Sequence, residues 1–237
     1  MAYFYRNFKI LSLNELVQYI RQGKPLPKRV VIITFDDGYR DIYLHAYPIL
    51  RKYHIPATIF LTTGLIGTGN LFWWDKVAYV IQHTIATQLS LDELGSYSLH
   101  SKSARFHASL AITEGLRKLP NERRVSLVEK LLSTTGVDIP EDLGKKLILS
   151  WDEVKEMSNG GIEFGAHSVT HPVLTNMPLE EAKWEIVQSK KDIERKIGKE
   201  VTAFSYPNGN FSPKIIEIVQ ESGFDCAVST LPRKLIS

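Results

Sequence analysis

Cysteine is almost absent from this chain: Cys226 is the only one in 237 residues. No intrachain disulfide can form, so the fold rests on neither a disulfide framework nor an oxidising compartment. Cys226 lies in the apolar run Cys226-Ala227-Val228 and reads as a structural thiol, not a nucleophile. Long hydrophobic runs are also missing. No stretch reaches the roughly 18 apolar residues of a membrane span. The opening residues Met1 to Lys9 lack the apolar h-region of a signal peptide. The expected location is cytoplasmic for the chain as it stands, and cell envelope or extracellular if a leader has been removed. An excess of one charge is missing as well. Lys and Arg number 29 against 26 Asp and Glu, a formal net charge of +3. A nucleic-acid binder shows a basic stripe. Here the basic runs are pairs, Arg123-Arg124, Lys145-Lys146 and Lys190-Lys191, which read as solvated helix faces. No nucleic-acid partner is expected.

Hydrophobic residues make up 43% and charged residues 23%, which fits a folded chain with one good core and excludes wholesale disorder. Arg29 to Phe35 (Arg-Val-Val-Ile-Ile-Thr-Phe) is a continuous β-branched run, as in a strand buried on both faces of a parallel sheet. Asp36-Asp37-Gly38 follows, then a helical pattern over 40–53 and a second buried strand over 57–63. This is a βαβ unit, whose crossover is right-handed. The segment 64–149 differs: it opens on Gly64, Gly67 and Gly69, then Phe72-Trp73-Trp74, and continues with helical segments. It reads as a mostly helical insertion within one domain spanning 1–237. Ser150-Trp151-Asp152-Glu153 is a capping box. Strands at 162–168, 201–206 and 225–230 then alternate with helices over 178–199 and 212–222. Five strands alternating with helices predict a parallel sheet.

In such folds functional side chains collect at the carboxyl ends of strands, and the polar residues here do so. Asp36-Asp37 come at the end of the first strand, His167 at the end of the third and Pro207-Asn208-Gly209 at the end of the fourth. Adjacent carboxylates raise each other's pKa unless a cation or donor intervenes. A helix N-cap at Asp37 is the plain explanation, but it accounts for one carboxylate only. His167-Ser-Val-Thr-His171 sets two imidazoles four residues apart. Two histidines and one carboxylate are the three protein ligands of an open catalytic zinc-type site. The second aspartate would then act as general base.

Thr34-Phe35-Asp36-Asp37-Gly38 resembles the first motif of the polysaccharide deacetylase family, the NodB-homology or carbohydrate esterase family 4 domain. His167 to His171 resembles its second motif, and Phe204-Ser205-Tyr206-Pro207-Asn208-Gly209 its third. The resemblance covers about 29–63 and 150–230. It implies a distorted (β/α) barrel and metal-dependent removal of N-acetyl groups, in some members O-acetyl groups, from amino-sugar polymers. By the same resemblance Asp36 is the base and Asp37, His167 and His171 are the metal ligands. Pro207 and Asn208 stand at the catalytic centre, where the Asn208 backbone N–H would face the oxyanion. The metal expected is Zn2+, with Co2+, Ni2+ and Mn2+ as alternatives for this ligand set. Tyr39, Tyr206, Trp73 and Trp74 are candidate sugar contacts. Two family features differ. Ser205 stands where many members have an arginine, and no histidine follows His171 to match the family's general acid. Five strands are also too few for a closed barrel, so the chain is expected to be truncated at its C-terminus. An amidase acting on small non-sugar amides and a carbohydrate-binding relative without turnover are the competing readings.

Overall fold

The computed structural model describes residues 2–230. They form two compact units, the second spanning Gly69–Gly144 and the first built from the chain on either side. Along the chain, the first unit begins with α1 (Ala2–Asn7), β1 (Lys9–Ile10), α2 (Leu13–Arg21), β2 (Val30–Val31), β3 (Thr34–Phe35), α3 (Tyr47–Lys52) and β4 (Thr58–Leu61). The second unit contains α4 (Trp73–His83), β5 (Gln88–Leu91), β6 (Gly95–Ser98), α5 (Lys102–Arg117) and α6 (Asn121–Thr135). The first unit resumes at Lys145, within α7 (Leu143–Leu147), and continues with α8 (Trp151–Asn159), β7 (Glu163–Ala166), α9 (Leu179–Ile197), β8 (Ala203–Ser205), α10 (Pro213–Glu221) and β9 (Cys226–Val228).

The five expected strands all exist and share one sheet in the order β3-β4-β7-β8-β9, every pair parallel. The sheet curls into a half-barrel. The interior strand β4, paired on both sides by β3 and β7, is buried along its whole length, as the apolar side chains Ile59, Phe60 and Leu61 require. Phe60 pairs with Gly165 of β7, and a Cβ on Gly165 would lie 2.4 Å from the Phe60 ring. Glycine is therefore what allows a phenylalanine into the layer between the two strands.

The run 29–35 departs from the expected doubly buried strand. It breaks into β2, which pairs with β1, and β3, which pairs with β4. Val30 to Ile33 are half-buried and Thr34 is exposed, because β3 is an outer strand of the sheet. The helix over 40–53 also divides. Ile42–Ala46 is a π-helical turn leading into α3, with the Tyr47 N–H donating to the Ile42 carbonyl. Pro48 explains the change: it has no N–H, and its ring crowds the carbonyl four residues back. The wider turn removes that clash. The capping box at α8 forms as read from sequence, with the Glu153 N–H donating to Ser150 Oγ at 3.2 Å and the Ser150 N–H to Glu153 Oε2 at 2.8 Å. A second capping box, Ser12 with Glu15, starts α2.

The second unit packs α4, α5 and α6 around Val77, Val80, Ile81, Ile112, Leu116 and Leu131. It also carries an antiparallel hairpin, β5 with β6, where the sequence reads as mostly helical with no strand signal. Leu89 and Leu91 point into its core while Gln88 and Ser90 face out.

Candidate metal and catalytic site

The Asp36-Asp37-Gly38 turn leaves the carboxyl end of β3 in a conformation that side chains resist. Asp37 has φ +73° and Gly38 φ +87°. A non-glycine residue held there is strained, and such strain is kept where the surroundings enforce it. The surroundings are visible: the Leu149 N–H donates to the Gly38 carbonyl at 3.0 Å and the Arg40 N–H to the Leu147 carbonyl at 2.7 Å. Arg40 Nε pairs with Glu153 Oε1 at 2.7 Å, which ties the turn to the capping carboxylate of α8. Asp37 is not a helix cap. The next helical turn begins at Ile42 with Asp41 as its N-cap.

His167 follows β7, and its backbone N–H continues the ladder to the Leu61 carbonyl at 2.9 Å. The next residues form a tight loop in which Ser168 (φ +62°) and His171 (φ +58°) are both left-handed. The loop is fastened on three sides. The His171 N–H donates to Ser168 Oγ at 3.0 Å. The Thr63 and Gly64 N–H groups donate to the carbonyls of Ser168 and Val169 at 3.2 and 2.9 Å. On the third side, buried Glu185 of α9 accepts from the Val169 N–H, the Thr170 N–H and the Thr170 hydroxyl.

These two turns bring Asp37, His167 and His171 together, with one potential ligand atom from each lying within 4.8 Å of the others. His167 Nε2 is 3.5 Å and His171 Nε2 3.3 Å from Asp37 Oδ1. Both imidazoles are buried. His167 Nδ1 sits 2.8 Å from the Ser205 carbonyl, which can only accept, so Nδ1 carries the proton. In neutral His167 the Nε2 lone pair then faces the Asp37 carboxylate, leaving two acceptors opposed. Asp37 Oδ1 is buried and accepts no hydrogen bond. Burying an acceptor without a donor is costly, and a cation between these groups removes the cost. A histidine whose second nitrogen donates to a backbone carbonyl is the usual support of a metal ligand. The donor set therefore fits a divalent cation.

Asp36 lies beside this cluster. Its side chain opens to solvent, yet protein atoms crowd the shell around its carboxyl. That desolvation is the largest influence on it and raises its pKa, with the Asp37 charge adding; His167 and a hydrogen bond from the Ser205 hydroxyl act in the opposite sense. Ser205 thus contacts the carboxylate from the position where the sequence comparison expected a guanidinium.

Pro207 and Asn208 form the turn after β8. Pro207 is buried, and Asn208 is left-handed at φ +59°. Gly209 closes the turn at φ +74°, where a Cβ would lie 2.1 Å from Thr230 Oγ1. Tyr206 is buried between Phe204 and Phe211, and burial pushes its hydroxyl up to about 12. Tyr39 is half-buried and bridges to Ile148. Trp73 and Trp74 belong to the second unit, where Trp74 stacks on Phe72 at 4.3 Å and Arg124 lies over Trp73 at 5.2 Å. Cys226 is half-buried, and burial pushes its thiol up to about 11, which suits a structural thiol.

Sequence reasoning missed Glu185. The signal was present, since Glu185 falls on the α9 face that buries Ala182, Ile186, Ser189 and Ile193, an acid on an apolar stripe.

The model of the polysaccharide deacetylase family matches residues 23–227. A Staphylococcus epidermidis poly-beta-1,6-N-acetyl-D-glucosamine N-deacetylase is 30% identical over 165 residues, covering 66% of this chain and 54% of that protein. The Staphylococcus aureus (strain N315) protein of the same name is 42% identical over 96 residues, covering 40% and 33%. The chain spans about half of the first relative's length or less of these proteins. Among solved structures, the Streptococcus pyogenes deacetylase PplD in complex with acetate shares the fold. Its TM-score is 0.60 at 20% identity, over 96% of this chain and 68% of that one. With the family match running from Lys24's neighbour Gly23 through Ala227 and enclosing all three motif turns, the chain belongs to the polysaccharide deacetylase family.

Proposed function

We propose that this chain is a metal-dependent deacetylase that hydrolyses the N-acetyl groups of an amino-sugar polymer, with poly-β-1,6-N-acetylglucosamine the first substrate to test. Family members are generally metalloenzymes. The single observation that carries the reading is the convergence of Asp37, His167 and His171 around a buried carboxylate oxygen that accepts no hydrogen bond, with Asp36 alongside. Support for the substrate class comes from the relatives, two of which are named for that polymer.

In this reading Asp37, His167 and His171 hold the cation, with Zn2+ the first choice for one carboxylate and two imidazoles. Bound there, it would supply Lewis acidity to the acetyl carbonyl and to the attacking water. The chain's own groups do the rest. Asp36 accepts a proton from the water as it adds to the carbonyl carbon, and its raised pKa brings it closer to the working pH of a general base. Ser205 keeps the Asp36 carboxylate oriented by its hydroxyl hydrogen bond. The left-handed Asn208 turn offers a backbone N–H to the developing oxyanion, a contribution of about 3 kcal/mol where such donors have been removed. The C–N bond then breaks, giving acetate and a free amine, and the proton taken by Asp36 balances the one the departing nitrogen acquires.

Acetate release from acetylated β-1,6-glucosamine and chito-oligosaccharides tests the proposal. Substitution of Asp36 by Asn is expected to abolish release while metal stays bound. Wild-type rates in that variant would make the base assignment wrong.

A further inference from the structure

The third fastening of the histidine loop has no counterpart among the residues assigned above. Glu185 is 4% exposed on α9, a position an apolar side chain would fill at lower desolvation cost if packing were its only task. Its hydrogen bonds are all directed to one place. Oε2 accepts from the Val169 N–H at 2.6 Å and the Thr170 N–H at 2.9 Å, and Oε1 accepts from Thr170 Oγ1 at 2.6 Å. Those donors belong to the two residues immediately before His171. They lie within a four-residue stretch whose ends, Ser168 and His171, both hold left-handed backbone, a conformation that residues with a Cβ rarely adopt unaided. Free of Glu185, the two N–H groups would turn toward other acceptors and the loop would relax toward ordinary backbone angles, carrying the His171 ring with it. The helix that presents Glu185 is itself held firmly, burying Ala182, Ile186, Ser189 and Ile193.

We propose that Glu185 is a positioning residue for the metal site: its carboxylate locks the left-handed 168–171 loop and so aims the His171 imidazole at Asp37. The inference rests on the reading of Asp37, His167 and His171 as metal ligands. It assigns Glu185 no contact with substrate or cation.

The test is Zn2+ affinity by competition with a chromophoric chelator, measured on folded protein well below its melting transition and compared with thermal stability. Glu185→Leu, Glu185→Gln and Thr170→Val are compared with wild type, and His171→Ala serves as the reference for a lost ligand. Partners that orient a metal ligand are typically worth about 10–100-fold in affinity, and Glu185→Leu is expected to weaken Zn2+ binding by about that much. Glu185→Gln keeps a carbonyl oxygen for the two N–H groups and loses the charge, so it is expected to recover most of the affinity. Thr170→Val removes one of the three hydrogen bonds and should fall between wild type and Glu185→Leu. A purely structural role would lower the melting temperature of Glu185→Leu and leave the Zn2+ affinity of the folded protein within twofold of wild type, which overturns the proposal. Should Glu185→Leu fail to fold, the other two variants decide: affinities within twofold of wild type in both overturn it. A wild-type chain that binds no Zn2+ would instead overturn the metal-site reading itself, and this inference with it.

Discussion

Gly38 is where the sequence motif, the backbone and the site meet, so its substitution by alanine tests the local account. The residue holds φ +87°, where an L side chain costs about 1–2 kcal/mol. A Cβ there would also lie 2.8 Å from Ile66 Cδ1 and 3.0 Å from Leu61 Cδ2. Both neighbours are side-chain tips that could yield on a surface. Here they are 1% and 0% exposed, so they must shift within the core, and overpacking of this kind costs about 1–3 kcal/mol. Together the two terms give about 3 kcal/mol for Gly38→Ala. For a chain of this length that is a fall of roughly 6–12 °C in melting temperature, at about 2–4 °C per kcal/mol. Thermal unfolding followed by circular dichroism measures it. Relief of either term would move the Asp37 carboxylate, so Zn2+ affinity should fall in the same variant. A melting temperature within about 1 °C of wild type would refute both the conformational and the packing argument.

Two further outcomes are expected. At Asn208, φ +59° suits glycine as well as asparagine, so Asn208→Gly should leave stability nearly unchanged while Asn208→Ala loses about 1–2 kcal/mol; equal melting temperatures would count against the left-handed turn. For metal-free protein, the raised pKa of Asp36 fixes the sign of a pH effect. The folded state holds that proton more tightly, so the stabilisation is full below the ordinary value of 3.8 and is lost as pH rises through the folded pKa. Asn cannot ionise, so Asp36→Asn should melt above wild type at pH 7, and the gap should close as pH falls below 3.8. A gap that widens toward low pH would contradict the assignment.

The parts of this molecule legible in sequence are those whose local chemistry admits few alternatives. The runs 57–63 and 201–206 are apolar enough to demand burial, and they became β4 and β8. Asp36-Asp37 and His167/His171 stood out because paired carboxylates and closely spaced imidazoles at strand ends are expensive without a shared cation. What was not legible depends on neighbours distant in sequence. The run 29–35 has the composition of an interior strand. It divides because β3 lies at the margin of the sheet, and sheet order is a property of the whole fold. The hairpin 88–98 was missed because its alternation uses Leu89 and Leu91, residues that favour helices as readily. The 40–53 run reads as one helix although it contains Pro48, and a π-helical turn is only one of several ways to absorb a proline. Glu185 was passed over although it stands on the apolar stripe of α9, where Glu180 and Glu181 stand off it; what the stripe could not give is its target, since Val169 and Thr170 lie in a separate loop.

The most direct test of the central claim is a joint measurement of bound Zn2+ and acetate release on acetylated β-1,6-glucosamine oligomers, in wild type, Asp36→Asn and Asp37→Ala. The two adjacent aspartates are assigned different tasks, so the two variants should fail differently. Asp36→Asn should retain one Zn2+ per chain and lose roughly 10²–10⁴-fold in rate, the usual contribution of a general base. Asp37→Ala should lose both the metal and the activity. Wild-type rates in Asp36→Asn, or full Zn2+ occupancy in Asp37→Ala, would contradict the account.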